Sequence, residues 1–157
     1  MSLCISFSKK IYRSDQRAMP LSLECLILDE IYTYEGSKAS KCYIFTAVGI
    51  TDMGYKYVFA KAFKRLGQTS LIKFLRSMPP ARIYFSDEAP FYGTVLGSSV
   101  VQAKGAMTNL VESFNAQLRQ YLSCIRRKTK AFAKSLPQLN GWLDLVLSRK
   151  FSSPTKI

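Results

Sequence analysis

The sequence predicts an α/β fold in which helices flank a mixed sheet that contains an antiparallel hairpin. Two observations support this class: short apolar runs typical of strands come first along the chain, and runs with helical spacing come before and after the fourth of them. A chain of 157 residues usually folds as one domain. Because 48% of the residues are hydrophobic, the composition is not that of a disordered chain.

Three strands open the predicted core. Residues 23–28 form a short apolar run, and residues 42–50 form a second run that is rich in aromatic and β-branched side chains. Residues 55–60 continue as a third strand. Since Asp52 and Gly54 are typical of a tight turn, we expect the second and third strands to pair as a hairpin.

A helix and two more strands follow. Apolar residues recur with helical spacing from Gln68 to Met78, and Pro79 stops this helix. Residues 81–86 are a fourth strand, and residues 98–103 are a short fifth one. Proline and glycine between these two strands predict a break.

A long helix begins at Asn109. Its apolar side is predicted to carry Val111, Phe114, Leu118, Tyr121, Leu122 and Ile125. Glu112, Asn115 and Arg119 then share a different face. This arrangement is typical of an amphipathic helix that packs on a sheet.

The end of the chain is predicted to hold one more helix. Pro137 and Gly141 separate the long helix from this last one, which lies at residues 142–147. The order of three strands, a helix, a strand and two helices suits a ribonuclease H-like fold.

The predicted boundaries divide the chain into three parts. We expect residues 1–22 to form a leader or loosely held arm, residues 23–151 the core, and residues 152–157 a polar tail.

The chain carries 23 Lys and Arg against 10 Asp and Glu, a formal net charge of +13. Such an excess favours a polyanionic partner, either nucleic acid or an anionic membrane surface. No apolar stretch is long enough to span a membrane, and the start has too short an apolar run for a secretory signal. We therefore expect a cytoplasmic, nucleoid-associated protein without a membrane partner.

Histidine is absent, and the four cysteines are widely scattered at Cys4, Cys25, Cys42 and Cys124. This composition excludes a zinc finger of the usual kind and every catalytic site that needs a histidine base. We expect the cysteines to be reduced, partly buried thiols. Any catalysis must therefore depend on carboxylates.

Three acidic residues are candidates for such a site. Asp29 ends the first strand, Asp87 ends the fourth, and Glu112 lies one turn into the long helix. If the first and fourth strands are neighbours, the three carboxylates converge at one edge of the sheet. At separations of about 4 Å they would repel by roughly 4 kcal/mol per pair, so protons or a cation must neutralise them. Oxygen ligands select Mg²⁺ or Mn²⁺, and two such ions can activate a water or a 3′-hydroxyl for phosphodiester cleavage and strand transfer.

Each of these acids also has a simpler explanation. Aspartate is common at the ends of strands, which would explain Asp29 and Asp87. Glu112 stands three residues after Asn109, which is the spacing of the two partners in a capping box. The pattern alone favours the simpler explanation.

Two neighbouring acids are alternatives to the proposed ligands. Glu30 follows Asp29 and Glu88 follows Asp87, so a shift of one residue at either strand end would substitute one of them.

The long helix and the segment after it carry a specific resemblance. Residues 111–120, VESFNAQLRQ, together with residues 127–129 and 132–135, closely resemble the catalytic-glutamate helix and basic segment of insertion sequence one family transposases. Residues 29–36 are similar to the first-aspartate block of that family. Residues 85–87, followed by a Phe-Tyr pair, are similar to its second block.

The resemblance spans residues 23–151 and implies a ribonuclease H-like fold with a DDE active site formed by Asp29, Asp87 and Glu112. It implies DNA transposase activity that depends on Mg²⁺ or Mn²⁺. Its implied partners are the DNA of element ends and target, and a second copy of the chain on that DNA. The N-terminal DNA-binding region of the family has no counterpart in residues 1–22, so we expect a separate or fused region to supply it.

Basic residues dominate after Glu112, where the only other acid is Asp144. The residues predicted to contact DNA are Asn115, Arg119, Arg126, Arg127, Lys128, Lys130 and Lys134. The cations would hold backbone phosphates without reading bases. A solvated charged face is the simpler explanation, and the scarcity of acids weakens it because an ordinary surface mixes both signs.

Three functions remain open from the sequence. The chain is an active transposase core, an inactive transposase remnant that binds DNA non-specifically, or another ribonuclease H-like nuclease.

Overall fold

The computed structural model describes residues 19–102, 105, 107–126 and 128–157. The strands are β1 (Leu23–Tyr34), β2 (Lys41–Ile50), β3 (Tyr55–Phe63), β4 (Ala81–Ser86), β5 (Val100–Gln102) and β6 (Thr155–Lys156). The helices are α1 (Gln68–Leu75), α2 (Pro90–Leu96), α3 (Thr108–Tyr121) and α4 (Leu136–Lys150), with 3-10 turns at Gly97–Ser99 and Ser123–Ile125.

The six strands form one mixed sheet in the order β5-β4-β1-β2-β3-β6. β1, β2 and β3 pair antiparallel, whereas β4 runs parallel to β1 and β5 runs parallel to β4. Gly54, with a φ of 80°, lies in the turn that joins β2 to β3. The predicted mixed sheet, its hairpin and its flanking helices are therefore confirmed.

Helices pack on both faces of the sheet, and a separate hydrophobic core lies on each face. On one face Ile27 and Ile44 pack with Leu118 of α3 and Leu139 of α4. On the other face a second core gathers side chains from β1, β2, α1 and α2, including Leu26, Phe45, Phe74 and Tyr92. Burial on both faces is why the central strands have nearly continuous apolar runs.

β1 is longer than the sequence predicted. It continues past Asp29 to Tyr34 because its antiparallel pairing with β2 extends to the partners Tyr34 and Lys41. Its parallel pairing with β4 ends much earlier, at Ile27 opposite Phe85. The prediction that Asp29 ends a strand is therefore wrong. Asp29 lies within β1, just beyond the point where the pairing of β4 with β1 ends.

Two predicted breaks are helical instead. Pro90 begins α2, and Pro137 lies in the first turn of α4, where a missing backbone N–H costs no hydrogen bond. Ser135 caps α4 by accepting a hydrogen bond from the backbone N–H of Gln138 at 3.2 Å. Gly141 lies within α4, so this helix is longer than the predicted residues 142–147.

Other helix ends also differ from the prediction. α1 stops at Leu75, although Met78 is buried just beyond it. α3 stops at Tyr121, which is 46% exposed, and Leu122 and Ile125 are buried from the turn that follows. Part of the predicted polar tail forms β6, which pairs with β3.

The described cysteines, Cys25, Cys42 and Cys124, are free and buried, more deeply than predicted. Cys4 and residues 1–18 of the predicted arm lie outside the described residues. Within the part of the chain that the structure describes, no helix has both the length and the apolar character needed to cross a membrane.

Candidate active site

The three predicted acids line one cleft at the edge of the sheet. Asp29 comes from β1, Asp87 follows β4, and Glu112 projects from α3. The cleft has a volume of about 580 Å³, and Leu28 and Val111 form part of its wall. Residues far apart in sequence therefore meet at the point where β4 ends and β1 continues.

Asp29 is half-buried, and both of its carboxylate oxygens accept hydrogen bonds. The backbone N–H of Glu30 donates to Oδ1 at 2.9 Å, and the side-chain Nδ2 of Asn115 donates to Oδ2 at 2.7 Å. Two bonds at opposite oxygens fix the plane of the carboxylate. Asp29 is therefore the most firmly held acid of the cleft.

Asp87 lies in the loop between β4 and α2. Its Oδ1 accepts a hydrogen bond from the backbone N–H of Ala89 at 3.0 Å, which closes a turn of the kind that Asp favours. The side-chain Nε2 of Gln102 in β5 donates to the backbone oxygens of Asp87 and Ala89 at 3.2 and 3.1 Å. The neighbouring strand thus holds the backbone that carries Asp87.

Glu112 stands on the exposed side of α3. The first turn of this helix is closed by Thr108, whose Oγ1 donates to the backbone oxygen of Gly105 at 2.7 Å. Asn109 lies inside the helix, and no side chain caps its start. The capping box that offered a simpler explanation of Glu112 is therefore not formed.

The cleft concentrates negative charge. Burial raises the pKa of Asp29, and the nearby carboxylates of Asp87 and Glu112 raise it further, while the backbone hydrogen bond from Glu30 and the charge of Arg119 lower it. A cation in the cleft would relieve this repulsion. The electrostatics of the site thus suit a positively charged ligand.

The side chains offer oxygen donors, which are the ligands that Mg²⁺ and Mn²⁺ prefer. Among the residues that the structure describes, however, no three acids, cysteines or histidines are grouped closely enough to hold a metal ion as they stand. The donor chemistry and charge of Asp29, Asp87 and Glu112 fit a divalent cation. In the described structure, however, the three carboxylates are spread too widely to hold one ion together.

Glu30 does not share the cleft with Asp29, because successive residues of a strand point to opposite faces. Its Oε2 accepts a hydrogen bond of 2.6 Å from the hydroxyl of Tyr92 in α2. Burial is the main reason why the pKa of Glu30 is raised to about 7, and the charges of Asp87 and Asp29 add to it. Glu88, the other alternative ligand, is exposed.

The raised pKa of Glu30 gives a testable pH dependence. The folded protein holds the proton of Glu30 more tightly than the unfolded chain does. The contribution of this protonated carboxyl group to the unfolding free energy is therefore fully present below pH 4.5 and is lost as the pH rises through about 7. Without divalent metal, we expect Glu30→Gln to reduce the fall in unfolding free energy between pH 5 and pH 8 by about 1–2 kcal/mol, after allowance for partial exposure.

Urea denaturation of both proteins at the two pH values, with chelator present, measures this difference. Glu88→Gln, which changes an exposed acid, should leave the wild-type slope in place. A wild-type protein that gains stability from pH 5 to pH 8 would contradict the assignment.

The residues predicted to contact DNA occupy different surroundings. Lys128, Lys130 and Lys134 are exposed. Arg126 is exposed too, and its guanidinium donates to the backbone oxygens of Arg119 and Gln120 at 3.2 and 3.3 Å, where it closes the end of α3. Arg127 lies outside the described residues.

Two other predicted DNA contacts lie close to Asp29. Arg119 is half-buried in the last turn of α3, and its charge lowers the pKa of Asp29. Asn115 is only 3% exposed and points at the carboxylate of Asp29. Asn115 therefore bonds to the first acid of the cleft, and Arg119 lies near enough for its charge to act on that acid.

Sequence reasoning missed the contacts that hold the acids. Asn115 was assigned to a polar face, although it stands four residues after Val111 and three before Leu118, both of them buried. That spacing was a signal that its amide faces the sheet. No local pattern indicated the pairing of Tyr92 with Glu30 or of Gln102 with the Asp87 loop.

Comparison with known proteins adds a family to this geometry. A sequence model of the family described as IS1 transposase matches residues 22–148. The chain is 28% identical over 116 residues to the Insertion element IS1 2 protein InsB of Escherichia coli (strain K12), across 73% of this chain and 68% of that protein. It is 28% identical over 114 residues to the Insertion element IS1 protein InsB of Shigella sonnei, across 71% of this chain and 85% of that protein. The matched range includes all three acids of the cleft, and the resemblance to insertion sequence one family transposases is confirmed.

Proposed function

The chain belongs to the IS1 transposase family, and from that premise we propose that Asp29, Asp87 and Glu112 are the catalytic carboxylates of a metal-dependent enzyme that cleaves DNA ends and joins strands. One observation carries the proposal. The three acids come from β1, the β4–α2 loop and α3, yet they line the same cleft. Acids that merely ended strands or capped a helix would have no reason to meet.

The arrangement of the strands supports a ribonuclease H-like fold for this core. Three antiparallel strands are followed by two parallel strands on the β1 side, in the order β5-β4-β1-β2-β3. In this arrangement the carboxyl end of β4 lies beside the middle of β1. The first two carboxylates are therefore brought to one edge by the topology.

Mg²⁺ or Mn²⁺ is the cofactor that we propose, with Asp29, Asp87 and Glu112 as its ligands. When bound, such ions activate a water or a 3′-hydroxyl and stabilise the leaving oxygen. Asp29 presents a carboxylate already oriented by two hydrogen bonds, and Asp87 presents one from a turn that Gln102 holds. Glu112, from the exposed side of α3, lines the same cleft.

The partner we propose is DNA, both element ends and target. Arg119 brings a positive charge next to Asp29, where a scissile phosphate would lie. Exposed cations after α3 would hold flanking phosphates without reading bases. They are Arg126, Lys128, Lys130 and Lys134, with Arg127 beside them in the sequence. Recognition of the ends would come from a separate or fused N-terminal DNA-binding region, and the active form would be a homo-oligomer on DNA.

The open spacing of the three carboxylates favours a second candidate, a protein that binds DNA without cutting it. Both candidates retain the basic surface and bind DNA, but only the first cleaves it. DNA cleavage measured with and without divalent metal therefore distinguishes the two candidates.

We expect the full chain, fused to a competent DNA-binding domain, to nick a substrate that carries its binding site in Mg²⁺ or Mn²⁺. No product should form in EDTA, and Mg²⁺ in excess of the chelator should restore it, because the carboxylates alone do not activate the nucleophile. Gel analysis of nicked products, with DNA binding measured in parallel, tests this. Equal cleavage in EDTA would reject the metal-dependent mechanism, and binding without cleavage under every condition would favour the second candidate.

A further inference from the structure

Asn115 occupies a place where the fold would suit an apolar residue. It lies on the buried side of α3 with Val111, Phe114 and Leu118, and only 3% of its surface is exposed. A side chain so buried offers no surface for a DNA phosphate. The role of Asn115 therefore depends on the groups that its side chain contacts inside the fold.

Within the described part of the chain, the amide of Asn115 makes one hydrogen bond, and that bond goes to the first acid of the cleft. Its Nδ2 donates to Oδ2 of Asp29 at 2.7 Å. The other oxygen of this carboxylate is held by the backbone N–H of Glu30, which any sequence would supply. Of these two bonds, the one from Asn115 depends on the identity of a side chain.

The other end of the amide is left unsatisfied. Oδ1 of Asn115 is buried and has no hydrogen-bond partner among the described residues. A buried polar atom without a partner destabilises a fold, and an apolar side chain of the same size would avoid that cost. The bond to Asp29 contributes stability and the unsatisfied Oδ1 offsets it, so an asparagine at this position gives the fold little net gain in stability.

We propose that Asn115 is a positioning residue, which holds the Asp29 carboxylate in the orientation that a divalent cation requires. The terminal torsion of an aspartate is broad when nothing restrains it, and hydrogen bonds to both oxygens narrow it to one plane. A donor to a charged oxygen forms a strong bond, and groups that orient metal ligands typically change metal affinity or activity by 10–100-fold. The inference rests on the function proposed above, since it assigns Asn115 to the same site.

The test replaces the amide with an apolar group of similar size and measures stability and metal binding separately. In the full chain, Asn115→Leu should unfold at a urea concentration close to that of wild type, because it removes both the bond to Asp29 and the unsatisfied Oδ1. Its affinity for Mn²⁺, followed by electron paramagnetic resonance, should fall by about 10–100-fold. Excess Mn²⁺ should restore DNA cleavage in the fusion described above.

Two matched controls on α3 separate positioning from packing. Leu118→Ala removes a buried side chain one turn away, so it should lower stability and leave Mn²⁺ affinity unchanged. Gln117→Leu makes the same kind of replacement at a half-buried site and should change neither quantity. If Asn115→Leu does not fold, Asn115→Ala below its unfolding temperature gives the same comparison.

The outcomes distinguish this inference from the function on which it rests. Wild-type protein that binds no Mn²⁺ would overturn both. Wild-type binding that Asn115→Leu leaves unchanged would overturn the role of Asn115 alone. An equal loss of affinity in Leu118→Ala would show that packing, and not the hydrogen bond, controls the site.

Discussion

Asp29→Asn, Asp87→Asn and Glu112→Gln are each expected to abolish strand cleavage and transfer while DNA binding remains nearly intact or improves slightly. The substitutions keep side-chain volume and remove the anion that holds a divalent metal. Catalysis should fall by at least about 100–1,000-fold, the range over which loss of one group that stabilises transition-state charge acts. Binding survives because the phosphates contact lysine and arginine. Nicking of a terminal-repeat substrate by the fusion, beside a gel-shift titration, measures the two effects.

The acids next to the first two ligands are the matched controls. Glu88→Gln alters an exposed residue beside Asp87, and Glu30→Gln alters a carboxylate on the opposite face that accepts a bond from Tyr92. Both should retain most of the cleavage activity. Full activity in Asp87→Asn would refute the mechanism, and loss in Glu30→Gln but not in Asp29→Asn would move the first ligand by one residue.

Affinity for duplex DNA is expected to fall steeply with salt. If about six phosphates are neutralised, binding should weaken roughly a thousandfold between 50 and 200 mM salt, because each neutralised phosphate releases condensed counterions. The exposed cations after α3 carry this effect in our proposal. The double variant Lys128→Gln and Lys130→Gln should therefore weaken binding and reduce the slope of log affinity against log salt by about two.

Fluorescence anisotropy with duplexes of unrelated sequence, at several salt concentrations, provides the measurement. Lys73→Gln is the matched control, because Lys73 is exposed on α1, on the face of the sheet away from α3. A flat salt response would remove the argument from the basic surface. A strong preference for one terminal sequence would contradict an end-recognition region that lies elsewhere.

Local patterns were sufficient for most elements of the fold. The hairpin of β2 and β3, the strand β4 and the helix α3 follow from periodicity and from turn residues such as Gly54. The predicted ends of elements were wrong where contacts outside the local pattern decide how far a strand runs or where a helix begins. β1 runs on because β2 lies beside it, and α2 forms at Pro90 because the first turn of a helix does not need that N–H.

The sequence by itself determined which acids to test, since the chain lacks histidine, its acids are scarce, and Asp29, Asp87 and Glu112 lie in blocks that resemble one family. Only the tertiary structure decided how those acids are held. The bond from Asn115 to Asp29 spans 86 positions, and the bond from Tyr92 to Glu30 spans 62. Periodicity describes neighbours within one helix or strand, whereas such contacts arise when separate elements pack. Whether a polar side chain on α3 faces solvent or a carboxylate is fixed by that packing.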